Sequence, residues 1–294
     1  MEINNLNVRS TVLQTADTLS LSNELIRALE TLSIEDWDEV SELYTSLASN
    51  NSAIDMETIS VSQMKSENGP LRLLGTALLQ AHFAHKIYSA NGIPDPIWHD
   101  TFFDISIWCD NCKTKNGRIG LENIAWLQYH SKLELFRLVR LQFQLAKLMF
   151  PHYISPKKFE SQGIHAGDSV LMLHIPQGKP LTPIDCDQSL MHIRAFCRAF
   201  FPEYADVPIL CESWLLYPNN QLFMTPNCNI LSFASRFKLL GIMENPSQAI
   251  ERIWSWSNSP IDELAEKTTL QRNAKQYLQS GGKLGEGFGL LRAR

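Results

Sequence analysis

The stretch SVLMLHIPQGKPLTPIDCDQSL, residues 169–190, sets a histidine, a glutamine, a glycine, a lysine and a threonine between an apolar run and a helical one. His174 closes the run, at the strand end where open α/β sheets place ligands, and a histidine there can act as a general base near neutral pH. A histidine merely hydrogen-bonded at a sheet edge is the alternative. Beyond it, Gln177-Gly178-Lys179 leads into a helix with Thr182 as N-cap, Pro183 at the first helical position and Asp185 near the positive end of the helix dipole. Unpaired N–H groups at such an N-terminus suit a phosphate, Gly178 would admit close backbone approach, and Lys179 would add charge. There is one glycine here rather than a glycine-rich loop, and Pro180 and Pro183 each remove a donor. A plain strand–turn–helix connection therefore stays open.

A second polar group lies in CESW, where Cys211 and Ser213 share one face of a strand and Glu212 and Trp214 the other. No G-x-S-x-G elbow surrounds Ser213, so a serine-hydrolase triad is not indicated. Cys109 and Cys112 form one C-x-x-C, but the other four cysteines make no second close pair, so no zinc site is expected. His82 and His85 stand three apart on a helix with no neighbouring carboxylate in sequence, which reads as a packed or solvated pair. Trp37, Trp98, Trp108 and Trp126 read as helix-packing aromatics. The glycines of GGKLGEGFGLL come too late to open a dinucleotide-binding helix, and instead fit a helix cap followed by a turn into a last strand.

The elements that must position these groups divide the chain. Its 294 residues are 44% apolar and 19% charged, which suits a globular protein with a sizeable core. A net charge of −5 with no basic stripe argues against binding a duplex through its phosphates. Neither a signal-peptide pattern nor an uninterrupted apolar run of membrane-spanning length occurs, and the expectation is a cytoplasmic protein without membrane contact. The first third reads as helices over LSNELIRALETL, SIEDWDEVSELYTSL, GPLRLLGTALLQAHFAHKIYSANGIP and PIWHDTFFDISIWCDNC, and GLENIAWLQYHSK continues the helical pattern. In RLVRLQFQLAK the period becomes two, predicting a strand, with a helical reading through Leu138, Leu141, Leu145 and Leu148 as the alternative. SVLMLHI, a helix from Thr182 to Phe200, and VPILCESWLLYP then form a β-α-β unit with parallel strands. A short helix at NILSFASRF, a strand FKLLGIM, helices PSQAIERIWSW and TTLQRNAKQYLQS, and a strand GFGLLRA complete the pattern.

The runs LFRLVRLQF, VLMLHIPQGKPLT, CESWLLYP with NILSF, and TTLQR before a glycine-rich tail resemble the bacterial acyltransferase-domain proteins. GIPDPIWHDT and WLQYHSKLELFRL extend the resemblance over roughly residues 70–294. Those proteins pair a helical N-terminal domain with a GNAT-like acetyltransferase domain. The resemblance implies an α/β (α+β) chain: a helical domain over 1–130, then over 131–294 a mixed twisted sheet with flanking helices. It implies an acyl-CoA thioester, acetyl-CoA or another, lying where the strand of His174 and that of Cys211–Leu216 splay apart. Ile175, Gln177, Gly178, Lys179 and Thr182 would then meet its pyrophosphate. The superfamily loop is Q/R-x-x-G-x-G/A, and this chain matches its glutamine but not its glycine spacing. The implied reaction is acyl transfer to the amine of a small-molecule acceptor, with His174 or Glu212 as base and Tyr217 or Ser213 as acid. A non-catalytic relative that binds another small ligand or a protein is the competing reading.

Overall fold

The computed structural model describes residues 7–49, 53–255, 257 and 259–292, which fall into two compact units, one ending at Phe136 and the other beginning at Arg137. The first unit is helical: α1 Val8–Thr18, α2 Asn23–Glu30, α3 Ile34–Ser49, α4 Ala53–Gln63, α5 Gly69–Ala90, α6 Asp95–Phe102, α7 Asp104–Asn116 and α8 Leu127–Ser131. α5 is its axis, apolar nearly all round, with Leu73, Leu74, Ala77, Leu78 and Ala81 buried. Ser22 and Ser33 start α2 and α3 as caps: Leu25 N–H donates to Ser22 Oγ, and Ser33 and Asp36 exchange bonds of 3.1 and 3.2 Å in a capping box. Buried His130 meets buried Asp104 at 2.9 Å and ties α8 to α7.

Three readings of this half need correction. The expected single helix through PIWHDTFFDISIWCDNC breaks at Phe103 into α6 and α7. GLENIAWLQYHSK is helical only from Leu127, because Asn123 Oδ1 takes the Ala125 N–H at 2.7 Å and holds the preceding chain in a local turn. His85 has a carboxylate after all: Asp95 lies 2.8 Å from its Nε2, brought there by the turn after α5.

The second unit carries a six-stranded sheet ordered β1-β2-β3-β4-β6-β5. The strands are β1 Leu135–Leu138, β2 Leu141–Lys147, β3 Ser169–His174, β4 Ile209–Ser213, β5 Phe237–Met243 and β6 Glu286–Leu291. Around them lie α9 Lys157–Glu160, α10 Pro183–Phe200, α11 Asn229–Ala234, α12 Ser247–Trp254 and α13 Thr269–Gln279. The period-two run is extended, as read, but it turns at Val139-Arg140, with Val139 at φ +62°, into two strands instead of one. The strand in VPILCESWLLYP stops at Ser213, and Trp214–Leu216 closes into a 3₁₀ turn.

That turn explains the glycine tail. Gly287 and Gly289 alternate along β6, with Gly285 just before it, and a Cβ on Gly287 would stand 2.4 Å from the Leu216 carbonyl oxygen. A strand with no side chains on one side lets the 214–217 segment lie against its backbone. Gly281 and Gly282 cap α13, as the sequence predicts, through bonds to the Leu278 and Tyr277 carbonyls.

Candidate functional site

β3 and β4 run parallel, but only Leu171 with Ile209 and Met172 with Leu210 are paired. Past those two pairs both strands continue, β3 through His174 and β4 through Ser213, with no rungs between them. The sheet opens at the C-terminal ends of the parallel pair β3 and β4. His174 and Glu212 each lie two residues beyond the last pair, at matching positions on the two sides of the opening.

Strand register fixes what shares their side. Gln142 pairs with His174, Gln144 with Met172, Leu210 with Leu290 and Glu212 with Phe288. Because side chains alternate, Gln142, Gln144, His174, Glu212 and Glu286 project from one face. Toward the paired end this face is apolar, with Val170, Leu210, Leu240 and Phe288 packed beneath Leu148, Ile154, Phe159 and Ile164 of the segment between β2 and β3. The polar residues occupy the other end, around the opening.

Their hydrogen bonds form three groups. His174 Nε2 meets Gln144 Oε1 at 3.0 Å. Tyr153 donates its hydroxyl to Glu212 Oε1. Glu286, only 7% exposed, accepts from Gln248 Nε2 at 3.3 Å, while Gln248 Oε1 takes the Trp214 N–H at 2.7 Å. Burial raises the Glu286 pKa above the usual carboxylate range, helped by the charges of Glu212 and Glu251. Burial, with the Glu212 bond added, pushes the Tyr153 phenol up.

The opening is flanked by the turn from β3 to α10, and here the structure reveals an anchor that the sequence does not advertise. Arg140, from the β1–β2 turn, is 6% exposed. It donates to the carbonyls of Pro176 at 2.8 Å, Lys179 at 2.8 Å and Pro180 at 3.3 Å. Its backbone N–H meets Ser189 Oγ of α10 at 3.0 Å. The amides of Gln177, Gly178 and Lys179 take no backbone partner among the described residues. Gly178 sits at φ +112° with open space where a Cβ would point. The side-chain carbonyl of Gln177 is buried without a partner. Ile175 is half-buried and Lys179 exposed. Thr182 caps α10, accepting from Asp185 N–H at 3.2 Å and donating to the Asp185 carboxylate at 2.7 Å, so its hydroxyl is committed to the helix.

The residues expected to do chemistry are not all gathered. His174 and Glu212 stand on one face at matching positions of the parted strands; Ser213 and Tyr217 are not with them. Ser213 projects from the opposite face, buried, and its Oγ accepts the Leu215 N–H at 3.2 Å. Tyr217 is buried against Gly285, and burial, followed by the Glu244 charge, raises its phenol pKa. Tyr153 and Glu286 were missed by sequence reasoning. Tyr153 stands in a loop with no periodic pattern, and Glu286 is hidden among tail glycines; its place two residues before Phe288 on a period-two strand was the available signal.

The geometry agrees with comparison to known proteins. Residues 135–291 match the family model described as the GNAT-like C-terminal domain, and residues 13–133 that of the N-acyltransferase N-terminal domain. Among solved structures, an acyltransferase variant in complex with octanoyl-CoA is 20% identical with a TM-score of 0.76, covering 96% of this chain and 87% of that one. An acyltransferase in complex with decanoyl-CoA is 19% identical with a TM-score of 0.75, at the same coverage. One in complex with CoA and 10C-teicoplanin is 21% identical with a TM-score of 0.74, again over 96% and 87% of the two chains. No curated protein matches the chain.

Proposed function

This chain belongs to the family of the GNAT-like C-terminal domain, with an N-acyltransferase N-terminal domain before it, and from that premise we propose that it is an acyl-CoA-dependent N-acyltransferase. The observation that carries the reading is the parting of β3 from β4 after two residue pairs, beside a turn whose carbonyls are gathered by Arg140. An extended thioester chain fits between parted strands, and the amides of Gln177, Gly178 and Lys179, which take no backbone partner among the described residues, suit its pyrophosphate. Ile175 and Thr182 border the same turn. The solved relatives hold octanoyl-CoA and decanoyl-CoA, which favours a medium-length acyl chain over acetyl as the donor.

Glu212, with His174 opposite it, takes the proton from the acceptor amine as the amine attacks the thioester carbonyl; backbone N–H groups along the opening stabilise the oxyanion. The thiol leaving group needs a proton back. Tyr153 is the hydroxyl on the Glu212 side of the sheet, and its bond to Glu212 lets that proton pass from carboxyl to phenol to sulfur. Ser213 and Tyr217, on the other face, are not given this part. The acceptor is a small molecule bearing an amine, as the teicoplanin complexes of the relatives suggest.

Pro176, Pro180 and Pro183 thin the donors at the turn, which favours a second reading: a domain that binds a small ligand without turning it over. Calorimetric titration with acetyl-, octanoyl- and decanoyl-CoA separates the two when followed by CoA-release assays with an amine panel. Saturable binding that Gly178→Pro weakens, together with amine-dependent CoA release, supports the enzyme. Binding without release supports the second reading, and no binding by any thioester removes the first.

A further inference from the structure

β4 and β6 pair as far as Ser213 with Gly287, and one further step would set Trp214 against Glu286. That rung is missing, because β4 closes into its 3₁₀ turn at Trp214 while β6 still reaches Glu286, opposite Met243 of β5. The side chain of Gln248 stands in its place. Its Oε1 takes the Trp214 N–H at 2.7 Å and its Nε2 donates to Glu286 at 3.3 Å. A backbone N–H can only donate, so the carboxamide has one workable orientation and its NH₂ must face the carboxylate. Asn245 Oδ1 accepts the Ser247 N–H at 3.0 Å where α12 begins, and Ala249, Ile253 and Trp254 bury the helix that carries Gln248.

Glu286 shares the face of Glu212, two residues along the neighbouring strand, and the charges of both act on Tyr153. One phenol hydroxyl thus stands near two carboxylates, and it has a single proton to donate. In the structure it donates to Glu212, while Glu286 takes its donor from Gln248. The charges that act on Glu286, those of Glu212 and Glu251, are both negative, and Arg252 is paired with Glu251 at 3.1 Å. A buried carboxylate stripped of its donor takes the next one in reach.

We propose that Gln248 is a positioning residue: by holding Glu286 it leaves the Tyr153 hydroxyl to Glu212, and so decides which of two carboxylates serves as the base. The role rests on the acyl-transfer reading; the choice of partner for Tyr153 does not. Removing the carboxamide frees Glu286 to compete for the hydroxyl, and the proton route from Glu212 through Tyr153 to the leaving thiol is broken at its first bond. The same change takes the acceptor from the Trp214 N–H, so an effect on the strand end has to be told apart from a change of partner.

Two measurements on the full chain do so. In protein isotope-labelled at tyrosine Cζ, the Tyr153 NMR signal, identified by its loss in Tyr153→Phe, moves on Gln248→Met in the wild-type background and stays in place on the same change in the Glu286→Gln background. In CoA-release assays with octanoyl-CoA and an amine, Gln248→Met lowers kcat about tenfold or more with KM for octanoyl-CoA within about twofold, and in the Glu286→Gln background it costs less than about threefold. Gln248→Glu guards against loss of fold in the Met variant. Protonated, its carboxyl reproduces both bonds; ionised, it repels Glu286, so its turnover relative to wild type falls as pH rises. A Tyr153 signal unmoved by Gln248→Met in a folded protein, equal costs in the two backgrounds, or a Gln248→Glu ratio constant across pH overturns the proposal. A wild type that releases no CoA with any amine fails the acyl-transfer reading instead, and the tyrosine signal still decides whether Gln248 keeps Glu286 from Tyr153.

Discussion

Replacing Arg140 by Met tests whether one guanidinium builds the β3–α10 turn. Methionine keeps most of the buried stem and removes all three carbonyl bonds, two at 2.8 Å and one at 3.3 Å, while the backbone bond to Ser189 stays. A hydrogen bond to a charged group contributes about 1.5–3 kcal/mol, and leaving its buried partner unmet adds a desolvation cost. Against this stands the cost of burying the guanidinium, which lowers the Arg140 pKa, with Arg137 adding to the shift. The balance is a loss of about 3 kcal/mol, at the low end for breaking a buried charged contact. In a domain of this size that lowers Tm by roughly 6–12 °C. With the carbonyls released, the turn that carries the amides of Gln177–Lys179 loses its anchor at both ends, and octanoyl-CoA affinity falls about tenfold or more, which is about 1.4 kcal/mol. Differential scanning calorimetry and isothermal titration read the two effects separately. Arg140→Lys, whose single ammonium cannot span three carbonyls, falls between wild type and Met. A Met variant that melts within about 2 °C of wild type and binds octanoyl-CoA equally well refutes the argument.

Four other outcomes follow from the structure. The Glu286 pKa is raised in the folded state, so its contribution to stability is full below the ordinary carboxylate pKa and is lost as pH rises through the folded value; Glu286→Gln removes that loss, and chemical denaturation from pH 4 to 8 shows the variant gaining on wild type as pH increases. Equal pH slopes for the two proteins would count against it. Tyr153→Phe keeps octanoyl-CoA binding but slows amine-dependent CoA release at least tenfold, an effect absent if Glu212 acts without its phenol. Gly287→Ala forces a Cβ into the Leu216 carbonyl and costs about 1–3 kcal/mol, measured by urea denaturation, whereas Gly178→Ala meets no atom and loses only the strain of φ +112°. Cys109 and Cys112 react slowly with a disulfide reagent until the protein unfolds, because burial raises both thiols; fast labelling of the folded protein would contradict this.

The helical caps, the parallel β-α-β unit and the position of His174 were legible because each rests on local chemistry: a hydroxyl before a helix, a β-favouring run ending in proline, a two-residue period. What was not legible depends on contacts distant in sequence. Arg140 falls on a polar position of the period-two run, yet the turn at Val139 sends it to gather carbonyls some forty residues onward. Ser213 was the natural companion to Glu212 in sequence, and the same alternation that was read correctly puts it on the other face. Tyr153 reaches Glu212 only because its loop folds over the sheet, and nothing local in PHYISPKK signals that. The tail glycines were explained by caps and turns, which holds for Gly281 and Gly282; Gly285, Gly287 and Gly289 answer instead to a neighbouring backbone.

The parting of β3 from β4 also has a consequence for how the protein behaves among other proteins. It places two strand edges inside a sheet instead of at its rim, and strand edges are templates for unwanted pairing. Here the unladdered stretches are Leu173–His174 and Cys211–Ser213, and three extended residues span about 10 Å. Such a slot is too short for a foreign strand to gain a stable register, yet long enough for a slender chain carrying a few amides. Pro176 stops the first edge and the 3₁₀ turn at Trp214 stops the second, so both terminators guard against self-association. Extending either strand would lengthen an edge at the heart of the fold, and the first sign of it would be aggregation.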